Sequence, residues 1–193
     1  MTLEQFIKKY KPYEVDFVFP KKGDTKAYID LYFLYNSPDV RWHKVHTLIC
    51  EYFNHYLELY RSTLIKGDEL VEKLHFPEMP YIALGHSKDS IFGFRVGNNR
   101  AEIIKESIFD NEEVQKVGLS ALAKTSITIG GLGPDLLSDM IANIGMHYLL
   151  EYTDEQVKLY GLKTAEFQIS KVLDVEKFEE RGSEERRKGV RYS

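Results

Sequence analysis

Two aspartates one helical turn apart, Asp135 and Asp139, are the residues of this chain best suited to chemistry. They follow the glycine-rich turn Gly130-Gly131-Leu132-Gly133-Pro134, and Asp135, Asp139, Asn143, His147 and Glu151 then recur every four residues. Four residues of α-helix rotate ~400° and rise ~6 Å, so such a stripe drifts ~40° per step. The five cannot meet at one point, but adjacent pairs can. Asp135 and Asp139, with Ser138 beside them, are therefore candidate ligands for a hard divalent cation, Mg²⁺ or Mn²⁺, completed by groups from elsewhere. The competing explanation is structural. First-turn carboxylates favour the positive end of a helix dipole, and a polar stripe is commonly the solvated face.

A phosphate is the natural partner of such a metal. Backbone N–H groups at a helix start attract anions, so Gly131 and Gly133 are candidate substrate contacts, with Ser138 and Asn143. A bare phosphate would meet the two carboxylates as like charges, and a bridging cation removes that conflict. No lysine followed by Ser or Thr closes the glycine turn, which excludes a Walker-type nucleotide cradle. Gly85-His86-Ser87-Lys88 follows a short apolar run. It offers His86 for proton transfer and Lys88 for phosphate charge, against the alternative of a solvated turn. Arg41 and His46 have the loose spacing of helical ribonucleases but sit in the first turns of a helix, where such a site is not expected. Nothing marks a nucleophile elbow. A PD-(D/E)xK nuclease core would need a strand after Pro134-Asp135, and a helical pattern follows instead.

The elements that would position these residues are mostly helical. Ser37-Pro38-Asp39 predicts a helix start, with Ser37 as cap and Pro38 first. Val45, Leu48, Ile49, Tyr52, Phe53, Tyr56, Leu57, Leu59 and Tyr60 carry that helix at 3.6-residue spacing to about Leu64. A short helix through Leu74 follows Gly67-Asp68. Asn98 or Asn99 is the expected cap of a helix to about Phe109, and Glu112 to Thr125 reads as another. Pro134 starts a helix expected to run to about Tyr152. Strands are fewer: the alternation of Val15, Phe17 and Phe19 between Phe6 and Ile29, Tyr81–Leu84, Ile91–Val96, and Phe167-Gln168-Ile169. Ile29–Tyr35 fits a strand or a buried helix equally. The reading is a helix-rich α+β protein, a few short strands packed by several amphipathic helices. Residues 1–175 form one globular domain, and 176–193 a charged, flexible tail or a basic arm for a phosphate backbone.

Composition narrows the setting. A net charge of −4 gives no global footprint for nucleic acid, so only a local groove could bind it. The single cysteine, Cys50, excludes an internal disulfide or Cys-based zinc site, and its apolar neighbours predict a small buried side chain. With no signal-like N-terminus and no bilayer-length apolar run, the expectation is a cytoplasmic protein without a membrane partner. Thirteen Tyr and eleven Phe suit either a core or a partner surface.

The segment Gly131-Leu132-Gly133-Pro134-Asp135-Leu136-Leu137-Ser138-Asp139-Met140, with Asn143 and Glu151-Tyr152-Thr153, resembles a motif of a family of uncharacterised bacterial proteins. That motif is Gly-x-Gly-Pro-Asp-x-x-Ser-Asp, then Asn, then Tyr-Thr. The likeness extends upstream through Leu74-His75-Phe76-Pro77-Glu78 and Leu84-Gly85-His86-Ser87-Lys88, and more faintly through Val40–Asn54. The family's members look like proteins of mobile elements and defence loci, and the resemblance implies that context. Two departures matter. The turn after Lys88, glycine- and serine-rich in the family, is here Asp89-Ser90-Ile91-Phe92-Gly93-Phe94. The family also continues well beyond the equivalent of Phe167-Gln168-Ile169.

The expectation is a metal-dependent hydrolase of nucleic-acid phosphodiesters in phage–host conflict. Asp135 and Asp139 hold Mg²⁺ or Mn²⁺, Lys88 stabilises phosphate, and His86 or Asn143 orients water or substrate. The rival is a non-catalytic subunit, a second protein or another copy docking on an aromatic helix face of Trp42, Tyr52, Phe53, Tyr56 and Tyr60. A third reading is a small-molecule sensor at Gly97-Asn98-Asn99.

Overall fold

The structure, a computed structural model, describes residues 1–15, 28–76, 97–118, 132–169, 171–174, 177–182 and 186–190. Its class is the helix-dominated α+β class expected from the sequence. The expected strands at 81–84 and 91–96 lie outside the described residues, as do Phe17 and Phe19.

The N-terminal segment departs from the expected extended piece. Helix α1, Leu3–Lys9, forms because Thr2 and Gln5 make a reciprocal capping box, the hydroxyl accepting the Gln5 N–H and the amide oxygen the Thr2 N–H. Two such bonds satisfy donors that a short helix would otherwise leave open. The ambiguous run after Ile29 is helical: α2, Leu31–Asn36, is capped by Asp30 and buries Leu31 and Leu34.

Helix α3, Val40–Arg61, is the axis of the molecule. Its cap is Asp39, whose carboxylate accepts the Arg41 N–H at 2.8 Å, rather than Ser37. A carboxylate beside the positive helix end gains from the dipole as well as the bond. The apolar spacing read from the sequence is the buried face: Val45, Leu48, Ile49, Tyr52, Phe53, Tyr56 and Leu57 are all enclosed. The helix ends at Arg61 because Thr63 turns the backbone left-handed, at φ 56°. Helix α4, Gly67–Lys73, adds Leu70 to the core. Helix α5, Gly97–Ile104, passes into a π-helical turn, Lys105–Phe109, which buries Ile108 and Phe109. Helix α6, Glu112–Val117, is capped by Asn111 and is shorter than expected; residues 119–131 lie outside the description.

The long helix expected after Pro134 is two helices, α7 at Pro134–Ile144 and α8 at Met146–Tyr160. Gly145 is the break. A Cβ there would stand 2.7 Å from a methyl of Val45 and 2.9 Å from the Ile141 carbonyl, so only glycine lets the junction approach α3 this closely. From α7, Met140, Ile141 and Ile144 complete the main core against α3. A smaller cluster joins the termini of the helical part: Phe6 is fully buried, with the rings of Tyr10 and Tyr160 at 4.8 and 5.1 Å.

Among the described residues, four strands follow, in two antiparallel pairs. β1 (Thr164–Gln168) pairs with β4 (Arg186–Val190), and β2 (Lys171–Asp174) with β3 (Glu179–Gly182). Partners run from Thr164↔Val190 to Gln168↔Arg186, then from Lys171↔Gly182 to Asp174↔Glu179, a one-residue step in register. The region read as a charged, solvated tail thus holds two paired strands. Ladder bonds use backbone groups alone, so a charged sequence with little apolar periodicity can still pair.

Candidate functional site

The carboxylates of Asp135 and Asp139 do converge, and what they converge on is a guanidinium. Arg100, in the first turn of α5, donates from Nη1 to Asp139 Oδ2 at 2.8 Å and from Nη2 to Asp135 Oδ2 at 3.1 Å. One planar fork therefore bridges two carboxylates one turn apart on α7, tying α5 to α7. All three side chains are part-exposed, Asp135 most at 44% and Asp139 least at 25%. Each ion pair is then worth about 0.2–1 kcal/mol.

This geometry answers part of the expectation about a metal. The pair faces one cation position, as spacing suggested, but the chain's own Arg100 fills it. Among the described residues, no group of three His, Cys, Asp or Glu side chains could hold an ion. A divalent cation would have to displace a doubly bonded guanidinium and find further ligands. The residues present fit a helix clamp better than a metal centre.

The other candidates scatter. Ser138 is turned inward, buried, its hydroxyl oxygen accepting the Ile29 N–H at 3.1 Å. It pins the segment before α2 to α7 and does not join the aspartates. Asn143 Nδ2 donates to the Asp139 backbone carbonyl at 2.9 Å. Gly133 precedes Pro134 at the start of α7, and a Cβ there would meet nothing within 4 Å. Beyond the break at Gly145 the stripe resumes on α8, where His147 and Glu151 pair at 3.1 Å. His86, Lys88 and Gly131 lie outside the described residues. Gly97, Asn98 and Asn99 form the first turn of α5, so Asn98 and Asn99 lie inside the helix they were expected to cap.

The aromatic docking face also needs correction. Tyr52, Phe53 and Tyr56 are the inside of α3, each at most 2% exposed. Trp42 lies 5.3 Å from the Tyr152 ring, and Tyr60 donates its hydroxyl proton to Asp110 Oδ1 at 3.0 Å. Enclosing Tyr52, Phe53 and Tyr56 in the core stabilises the fold by about 1.5–3 kcal/mol each.

A different apolar surface stands open, at the corner where α2 meets α3. Phe33 is 62% exposed and Val40 67%, with Tyr32 and Tyr28 about two-fifths exposed. Leu31 and Leu34 point into the core, so a six-residue helix must turn Tyr32 and Phe33 outward. Arg41 follows Val40. Its Nη2 pairs with Glu155 Oε2 at 2.7 Å, and its guanidinium lies 5.8 and 5.6 Å from the ring centres of Trp42 and Tyr152. Burial pulls its pKa down, but the hydrogen bond to Glu155 and the charges of Glu155, Asp39 and Glu151 raise it overall. The carboxylates next to this corner therefore outnumber its cation. The Arg41–His46 spacing leads nowhere: Arg41 serves Glu155, and His46 is buried against Tyr35 at 5.2 Å and 3.8 Å from the sulfur of Cys50. Cys50 is buried, as expected.

Arg100 was missed by sequence reasoning. It is a lone arginine in a helix start, and its partners lie 35 and 39 residues further on. No local spacing announces that pairing.

The family described as Domain of unknown function (DUF8370) matches residues 7–183. The chain belongs to that family. Its matched span takes in Arg100, both aspartates and the open α2–α3 corner of this DUF8370 domain. No curated protein and no solved structure matches the chain. Among the described residues, no helix is long and apolar enough to cross a membrane.

Proposed function

We propose that this chain is a non-catalytic interaction subunit that binds a second protein through the α2–α3 corner. One observation carries the reading: Tyr28, Tyr32, Phe33 and Val40, four large apolar side chains within a short stretch, face outward beside a filled core. Aromatic side chains at an open patch supply contact area at small entropic cost and dominate binding energy where they become enclosed. Asp39 and Glu155 border the patch and Arg41 is already paired between them. The complementary surface is apolar with cations at its rim. Setting the protein in a multi-component defence complex rests on the motif resemblance alone.

Site-specific photo-crosslinking tests this. A photoreactive phenylalanine analogue at position 33, expressed in the native host, is expected to trap one protein. The same group at Leu64 or Leu159, both exposed elsewhere, is expected to trap none of it. That partner, purified and recombined, should bind the unmodified chain and bind Tyr32→Ser/Phe33→Ser at least about ten-fold more weakly. Equal trapping at all three positions, or equal binding by the double variant, would refute the reading.

A second reading, a Mg²⁺- or Mn²⁺-dependent hydrolase of nucleic-acid phosphodiesters, rests on Asp135 and Asp139 facing one cation position, where a metal would have to take the place of Arg100. It requires Mn²⁺ to raise the melting temperature of the unmodified chain, and strand cleavage that Asp139→Asn abolishes. Absence of both effects discards it.

A further inference from the structure

We propose that the partner docks at the α2–α3 corner with a basic amphipathic helix. Its apolar stripe covers Phe33 and Val40, and two of its cations, one turn apart, meet Glu155 and Glu151 of α8. The inference rests on reading that corner as a docking site and names the segment that fills it.

The charge pattern comes from α8. Glu151 and Glu155 stand one turn apart, their side chains 51% and 55% exposed. Glu155 holds Arg41 Nη2 at 2.7 Å, and Arg41 directly follows the exposed Val40. The acidic edge and the apolar corner are thus neighbours on one surface. The charges of Glu155, Asp39 and Glu151 all act on the one guanidinium of Arg41. Among the described residues, no lysine pairs with any of the three. Lys44, exposed one turn beyond Val40 on α3, repels cations from that side. The negative potential that a partner meets therefore lies over α8.

That arrangement selects a helix over an extended segment. A strand sends successive side chains to opposite faces, so it cannot run an apolar row and a basic row side by side toward one surface. A helix carries both stripes next to each other, and its side chains four residues apart rise ~6 Å. The two carboxylates of α8 repeat at the same ~6 Å. Lysines or arginines at i and i+4 therefore register with Glu155 and Glu151 while the apolar stripe covers Phe33 and Val40. The apolar contact supplies affinity, and the rim charges speed encounter and fix the direction of the helix.

Fluorescence anisotropy with a pair of designed peptides tests the inference on the full-length chain. Both are labelled peptides of about 18 residues, long enough to hold a helix in water, with one leucine stripe. One carries lysines at i and i+4 beside that stripe, the other glutamates at the same positions. The lysine peptide is expected to bind the unmodified chain at least about ten-fold more tightly than the glutamate peptide. Glu151→Lys should weaken the lysine peptide about five-fold or more. Glu112→Lys, the same charge change at an exposed position of α6, should leave its Kd unchanged. Equal binding of the two peptides overturns the inference. So does equal weakening by Glu151→Lys and Glu112→Lys, which would report net charge alone. Phe33→Ser separates this inference from the reading beneath it. If Phe33→Ser loses the lysine peptide and Glu151→Lys does not weaken it, the corner stands as a docking site and the basic helix is overturned. If neither variant weakens it, both are overturned.

Discussion

Arg100 on α5 and Asp139 on α7 meet at 2.8 Å, with the second nitrogen of the same guanidinium on Asp135 at 3.1 Å. The contact converts the most suggestive pair of carboxylates in the sequence into a fastening between two helices. A double-mutant cycle on Arg100→Gln and Asp139→Asn, followed by urea unfolding, should give a coupling of about 0.5–1 kcal/mol that shrinks in high salt. Zero coupling at low salt would mean the pair does not persist in solution.

Gly145→Ala should be strongly destabilising. Its methyl group would lie 2.7 Å from Val45 Cγ1 and 2.9 Å from the Ile141 carbonyl, and backbone cannot retreat as a flexible side chain can. A loss of about 1–3 kcal/mol is expected in denaturant unfolding. Val45→Ala removes the first clash, so the double variant should cost less than the two single losses combined.

Thr63→Gly should work in the other direction. Thr63 holds φ 56° just beyond α3, where a β-branched residue is disfavoured and glycine is the usual occupant. Relief of that strain outweighs the entropy glycine adds to the unfolded chain, for a gain of about 0.5–1 kcal/mol. A lower melting temperature for Thr63→Gly would contradict this account of the α3 terminus.

Lys105 sets an alkaline limit. Its ammonium group donates to Asp110 Oδ2 at 2.6 Å, and that hydrogen bond raises its pKa above the usual lysine value, against the opposing effect of burial. A folded-state pKa above the unfolded one means the contribution is complete below pH ~10.4 and is lost as pH rises through the raised value. Unfolding free energy measured from pH 9 to 12 should fall less steeply in Lys105→Gln than in the unmodified chain. Identical slopes would show that Lys105 does not titrate differently on folding.

What the sequence made legible was periodicity. The apolar residues from Val45 to Leu57 predicted both the existence and the buried side of α3, and Pro134 predicted the first residue of α7. What it concealed depended on distant partners. Apolar spacing runs on past Gly145, so only the approach of Val45 shows that the helix must break there. The left-handed turn at Thr63 lacks the glycine that would have marked the end of α3. Ser138 looked like a companion of the aspartates until the Ile29 amide claimed its hydroxyl. The same periodicity misled at Tyr52, Phe53 and Tyr56, because a rich aromatic stripe looks alike whether it faces core or partner. The open corner at Phe33 was hidden because Ile29–Tyr35 is apolar almost throughout, and only α2 sorts its residues into inner and outer faces.

The claim of an interaction subunit is tested most directly by the affinity of the partner trapped at position 33 for the unmodified chain and for Phe33→Ser. Phe33 is 62% exposed, so the variant should keep its melting temperature while its Kd rises at least about ten-fold. An unchanged Kd, with the fold intact, would contradict the proposal.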